Sequence, residues 1–515
     1  MVRMRRSGAV VVAVGIAVAL SARPSTQQFG TITFPTSGVA GAQDAFLTGV
    51  KALHNFQFDE AAVAFKQAQK ADPQFAMAYW GEAMSYNHPL WAQQDLDAAT
   101  EALARLAPTH EARLAKATLP MEKAFLEAQH VLFFSPGDKL ARDKAYSAAM
   151  ERLYEQHPDD HEVGTFYALS LLGTTRAGDA GYRRQALAAS IAQKIFAANP
   201  NHPGAAHFII HSFDDPDHAP LALPAARAYA KIAPSAAHAL HMPSHIFVQR
   251  GMWQDAADSN IVAYKAAVDL NAKMKLAEGR EDFHALSWLG YANLMLGKFD
   301  ESKKNVELAK QAVDRNPTSA DILNGYLGMR ARHIQETGQW EKLELPGAPA
   351  SAGGGDHAAM PGMTMGPGPG SATWVYIVGV SAAKMGDMAT AAAAEAQLKG
   401  FRERAQGETN AYAVRPHSVR EQELGAIIRW AKGEKDEALA LAKAATEVEM
   451  TMEPPSGPPV PIKPAFELYG ELLAEAGRHK EAEAAFEQAL LRMPNRTPSV
   501  RGLAAVTSKL TSSND

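Results

Sequence analysis

The sequence predicts an all-α chain built from antiparallel helix pairs, and three observations point there. The order Gly49, Ala61, Phe65, Ala68, Pro73 near the start recurs at the same intervals near the end as Gly470, Ala482, Phe486, Ala489, Pro494, with Phe466 just before. Segments between them, such as those around Gly251, Gly290, Lys384 and Ala431, each read as helix, Gly-containing turn, helix. Alternating β-branched runs bounded by turns, the mark of strands, are scarce.

The spacing has a physical reason. Small Ala residues let paired helices approach closely, the aromatic fills the gap, and Pro ends the second helix. On these residues the chain resembles the tetratricopeptide repeat (TPR) family over most of its length, with well-formed repeats at the ends and divergent ones inside. The resemblance implies an all-α, right-handed, tetratricopeptide-like α-solenoid whose concave face commonly holds a peptide or protein partner; it implies no chemistry.

The length of 515 residues suits three domains or one long repetitive body, and 47% hydrophobic with 21% charged residues is a globular composition. The formal charge of -5 argues against a nucleic-acid partner. Cysteine is absent, which excludes disulfides, thiolate–zinc sites, iron–sulfur clusters and cysteine nucleophiles. Arg3, Arg5 and Arg6 precede an uncharged run from Gly8 to Leu20, followed by small residues, so 1–22 reads as a signal peptide and the protein as exported, periplasmic or extracellular. The apolar run is shorter than the roughly 20 residues a spanning helix needs, and no later stretch can span a bilayer. The adjacent Arg5 and Arg6 leave the export route open. The mature chain divides into an N-terminal and central helical region, 42–345, a Gly/Pro/Met loop, 346–370, and a C-terminal helical region, 371–505. A Pro-rich stretch from Glu453 to Pro464 reads as an extended connector before the last repeat.

Histidine is where the pattern departs from a plain repeat protein. Seven of the 18, His202, His207, His211, His218, His238, His241 and His245, fall within 202–245. Pro203 suits the first turn of a helix running to about Phe213, which puts His207 and His211 on one face. His238, His241 and His245 form a second stripe on what should be the partnering helix, with a kink or restart at Pro243. Two facing stripes can supply three or four nitrogens to one ion, and Asp214, Asp215 and Asp217 can back the rings. The expected ligands are His207, His211, His241 and His245, with His202, His238 and His284 as reserves. Isolated histidines such as His54, His110 and His333 read instead as polar-tipped core residues or caps.

His357, Met360, Met363 and Met365 offer one imidazole and three thioethers, a set that favours Cu(I) and can deliver or transiently hold an ion. The stretch resembles the Met- and His-rich tracts of bacterial periplasmic copper-handling proteins; a plain Gly-Pro linker that happens to contain Met is the alternative. With Met and His the only soft ligands, copper is favoured over zinc. Tyr79, Trp80, Glu82, His88 and Trp91 crowd one early repeat and are candidates for an aromatic peptide groove. His161-Glu162 and His110-Glu111 begin like the zinc-protease motif but lack its second histidine. Three functional expectations follow: an exported scaffold with a His-based copper-type site, a metal-free peptide-binding module, or a metal-dependent, oxygen-activating enzyme of unknown substrate. Whether the chain is an enzyme stays open.

Overall fold

The structure, a computed structural model, describes residues 28–176, 179, 181–346, 371–407 and 412–512. The segment 1–22, expected from the sequence to be a signal peptide, and the stretch 347–370, with His357, Met360, Met363 and Met365, lie outside the described residues.

Helices follow one another as pairs. α1 (Ala40–His54) is followed by α2 (Phe58–Ala71), α3 (Ala76–Met84) by α4 (Leu96–Leu106) and the short α5 (His110–Leu114), and α6 (Pro120–Phe134) by α7 (Lys139–Gln156). Next come α8 (His161–Gly173) with α9 (Arg183–Ala198), α10 (Pro203–Ser212) with α11 (Ala219–Ile232), and the split helix α12 (Ala237–His241) and α13 (Pro243–Gln249) with α14 (Trp253–Met274). α15 (Glu281–Met295) pairs with α16 (Phe299–Arg315), and α17 (Ala320–Thr337) precedes α18 (Ala372–Lys384) and α19 (Met388–Ala405). The last are α20 (Val414–Lys432) with α21 (Lys435–Glu449), α22 (Ala465–Glu475) with α23 (His479–Arg492), and α24 (Thr497–Ser512), which continues past the expected end at 505. The strands among the described residues are the two-residue β1 (Asn87–His88) and β2 (Gln93–Gln94), paired antiparallel between α3 and α4. This is an all-α helical-repeat solenoid.

The repeat signature has a visible cause. The Phe65 ring of α2 lies against Gly49 of α1 and Gly81 of α3, where an added Cβ would come within 2.7 and 2.2 Å of it. Phe486 of α23 fills the same role between Gly470 and Gly502, at 3.0 and 2.4 Å. In both repeats the glycines make the room that the aromatic occupies. Side chains of Asp138, Asp160, Ser319 and Ser371 take up free N–H groups where α7, α8, α17 and α18 begin.

The chain also closes on itself. Asn495 accepts from the Trp253 indole N–H at 2.9 Å and donates to the Arg250 carbonyl at 3.1 Å, tying the end of the chain to its middle. The connector 453–464 lies against α13 and α15: Gln249 donates to the Pro455 carbonyl at 2.9 Å, and Gly457 lies against the Trp288 ring. Among the described residues no helix is long and apolar enough to cross a membrane.

Candidate metal centre

The histidines sit on the first helices of three successive pairs, α10, α12–α13 and α15, and not on the two arms of one antiparallel pair. The sequence expectation is corrected here, because α11 intervenes as the partner of α10. Pro203 opens α10 as expected. Pro243, with no N–H to donate, separates α12 from α13, so His241 ends one short helix and His245 lies in the first turn of the next.

Two trios of ring nitrogens result. In the first, His207 Nε2 lies 3.0 Å from His211 Nε2 and 3.2 Å from His238 Nε2. In the second, His241 Nε2 lies 3.1 Å from His245 Nε2 and 2.8 Å from His284 Nε2. Within each trio the ligand atoms all fall inside 4.8 Å of one another. Nitrogens held about 2.0–2.1 Å from one ion at tetrahedral or right angles stand about 2.9–3.4 Å apart, so these spacings suit a shared cation. The expected quartet His207, His211, His241, His245 is therefore divided two and two, and the reserves His238 and His284 each complete a trio.

The other ring nitrogen fixes the proton. His207 Nδ1 donates to the His54 carbonyl at 2.7 Å, His245 Nδ1 to Asp214 Oδ2 at 2.6 Å, and His238 Nδ1 faces Glu281 Oε2 at 3.4 Å. His241 Nδ1 donates to Asn260 Oδ1 at 2.7 Å, and the Asn260 amide is oriented by its own donation to the Ala256 carbonyl. Each of these four rings carries a proton on Nδ1, which leaves Nε2 as the nitrogen with a lone pair to offer. Lone pair then meets lone pair between His207 and His238 and again between His241 and His245. Protonation is a costly way out. Burial, with His211 and His238 alongside, pushes His207 well below the usual imidazole range. Burial does the same to His211 and His241 and takes His284 down to about 3. A bound cation removes the conflict without placing a proton in the cluster.

Aromatic rings wall both trios. Phe56 packs on all three imidazoles of the first, with centroids 4.4 Å from His207, 5.4 Å from His238 and 5.8 Å from His211. Trp288 packs on all three of the second, at 4.4 Å from His245, 5.0 Å from His241 and 5.6 Å from His284. Phe56 adopts φ 53°, a left-handed conformation unusual for a bulky residue and a mark of local backbone strain. Neither aromatic nor Asn260 carried a sequence signal, since their roles depend on the stacking of distant helices.

His202 goes elsewhere. It caps α10, accepting the Ala205 N–H on Nδ1 at 3.2 Å, so its proton sits on Nε2 and is donated to Glu162 at 3.1 Å. His54 donates to the other Glu162 oxygen at 2.7 Å. Burial works against the Glu162 charge, but the two rings outweigh it and hold the carboxyl down at about 2. These three groups cluster as tightly as a ligand set, and as they stand both rings turn an N–H to the Glu162 carboxylate, which makes them a buried hydrogen-bonded group. His218 pairs with Asp215 at 2.9 Å, outside both trios.

The aromatic candidates do not form one groove. Trp80 is a fully buried core residue, Tyr79 donates to the Pro73 carbonyl at 3.2 Å, and Glu82 is buried against Arg105, Lys66 and Gln69. His88 stacks on Phe58 at 4.0 Å and Trp91 reaches His238 at 6.3 Å, so this pair belongs to the wall of the first trio.

No protein-family profile matches the chain, and no curated protein matches it. Similar solved structures include the human IFIT1 dimer with m7Gppp-AAAA, at 13% identity over 90% of this chain and 91% of that one with a TM-score of 0.34. The P58(IPK) TPR domain is 12% identical over 92% and 99% of the two chains with a TM-score of 0.23. The APC/C hetero-tetramer Cut9–Hcn1 is 12% identical over 92% and 78% with a TM-score of 0.35. These likenesses carry nothing about activity; the helical-repeat architecture is read from the helix pairs themselves.

Proposed function

We propose that this chain is an exported helical-repeat protein that holds transition-metal ions in its two histidine trios, copper in preference to zinc. The observation that carries the reading is the paired lone-pair conflict: Nε2 atoms 3.1–3.2 Å apart on rings whose Nδ1 protons are already committed. Imidazole serves copper, zinc, nickel and iron alike. Copper is favoured by the absence of cysteine and by the tract of His357, Met360, Met363 and Met365, suited to passing on Cu(I). The test is elemental analysis of full-length protein reconstituted with Cu and Zn and then washed. Wild type is expected to keep copper stoichiometrically, and replacing His211 and His245 together by Ala to remove it. A wild-type protein that keeps no stoichiometric metal rejects the reading.

A second reading, a peptide-binding module, is favoured by a different place in the molecule. A cleft of about 460 Å³ in the C-terminal half is lined by Trp340, Trp430, Glu336, Glu471, Glu475 and Lys463. Under that reading chelation leaves thermal stability unchanged, whereas stoichiometric metal removed from the trios lowers it.

A further inference from the structure

The two trios are neighbours. The ring centroids of His211 and His245 are 6.1 Å apart, and those of His238 and His241 are 6.4 Å apart. Three nitrogens satisfy Cu(I) but leave Cu(II) short of its usual four or more ligands. Among the described residues no carboxylate joins either trio as a further donor. Asp214 and Glu281, the nearest acids, are turned to the Nδ1 sides of His245 and His238. With Phe56 and Trp288 each packed on one trio, the sides left for further ligands are those the trios share.

Resting on the metal reading above, we propose that the trios form one dinuclear copper centre that binds dioxygen between its two ions. The charges support this. Six neutral imidazoles add nothing, so two Cu(I) ions are balanced by the carboxylates of Asp214 and Glu281. On binding, each Cu(I) gives up one electron and dioxygen takes both, becoming a peroxide dianion held by two Cu(II); the added positive charge and the added negative charge cancel. A buried site that stays neutral in both states avoids the cost of isolated charge. A place for a small apolar molecule lies beside the first trio. Phe56, which walls the first trio, also lines an apolar cavity with Leu53, Phe58, Met84, Phe166 and Leu169.

The experiment loads full-length protein with Cu(I) without oxygen, washes it, measures copper, then adds air-saturated buffer while oxygen consumption and the electron paramagnetic resonance of Cu(II) are recorded. Two copper ions per chain, one dioxygen taken up per chain, and less than about a tenth of the copper visible by resonance, because bridged ions couple magnetically, are the expected results. His284→Ala, which breaks the second trio alone, is expected to keep one copper, to show it in full by resonance after oxidation with ferricyanide, and to lose the uptake. His211→Ala tests the same point from the first trio. Two copper ions per chain with full resonance intensity, or undiminished uptake by either variant, would overturn the dinuclear centre and leave the metal reading standing. A chain that retains no copper sinks both.

Discussion

His245 donates its Nδ1 proton to Asp214 at 2.6 Å, and that one hydrogen bond fixes which nitrogen faces the centre. Partners of this kind typically change metal affinity 10–100-fold when removed. Asp214→Ala is accordingly expected to weaken copper binding at the second trio by about that factor, read by competition with a chelator of known affinity, while the first trio binds as before. A second residue acts through packing. An added Cβ at Gly457 would stand 2.4 Å from the Trp288 ring, which in turn packs on His241, His245 and His284. Gly457→Val should push Trp288 into the trio and lower copper retention there, with helix content by circular dichroism unchanged. At this scale the sequence was legible for residue type and helical face: His207 and His211 do share a stripe, and Asp214 does back a ring. The grouping was not legible, since it depends on how far α12 and α15 lie from α10, a tertiary distance that spacing along the chain does not encode.

At the scale of the element, the end repeats were readable because their logic is local. Glycine, alanine and aromatic residues at fixed offsets describe one helix pair packing on the next, as Phe65 and Phe486 do. The middle repeats lost that pattern because their first helices carry histidines and polar partners where a plain repeat carries small residues. α20 holds another such departure. Glu423 is fully buried there, with the Tyr376 hydroxyl beside its carboxyl. Burial, with the Glu449 carboxylate adding to it and Lys463, Tyr376 and Arg420 only partly opposing, pushes its carboxyl well above the usual range. A carboxyl raised in the folded state supports the fold at low pH, and that support is lost as pH rises above about 4.5, where the unfolded chain ionises. Glu423→Gln should therefore stabilise the protein at pH 7 by about 1–3 kcal/mol and leave stability near pH 4 unchanged, measured by urea denaturation at the two values.

At the scale of the whole molecule, closure of the solenoid decides whether the inner face is an open groove or a covered site, and one buried cation carries much of that closure. Arg496, between α23 and α24, donates to both Glu467 oxygens at 2.8 and 2.9 Å, to Glu336 at 2.6 Å and to the Tyr291 hydroxyl at 3.0 Å. Three helices from the middle and end of the chain, α15, α17 and α22, thus meet on a single guanidinium. Its planar fork can serve all of them at once, which a lysine cannot. The sequence carries no sign of this, because the three partners of Arg496 lie up to about 200 residues away along the chain. Removing it strands the Glu336 carboxylate in a buried site, while Glu467 keeps Lys463 at 2.9 Å and the Ser499 hydroxyl, and such uncompensated charge costs about 3–5 kcal/mol. Arg496→Met is expected to lose that much in urea denaturation, and pairing it with Glu336→Gln to regain part, since the stranded charge is gone. Because the connector 453–464 leads into α22, which presents Glu467, and Gly457 of that connector braces Trp288, loosening Arg496 should also speed copper loss to a chelator. Chelator-driven release as slow from Arg496→Met as from wild type would mean that the cover over the trios stands without the closure.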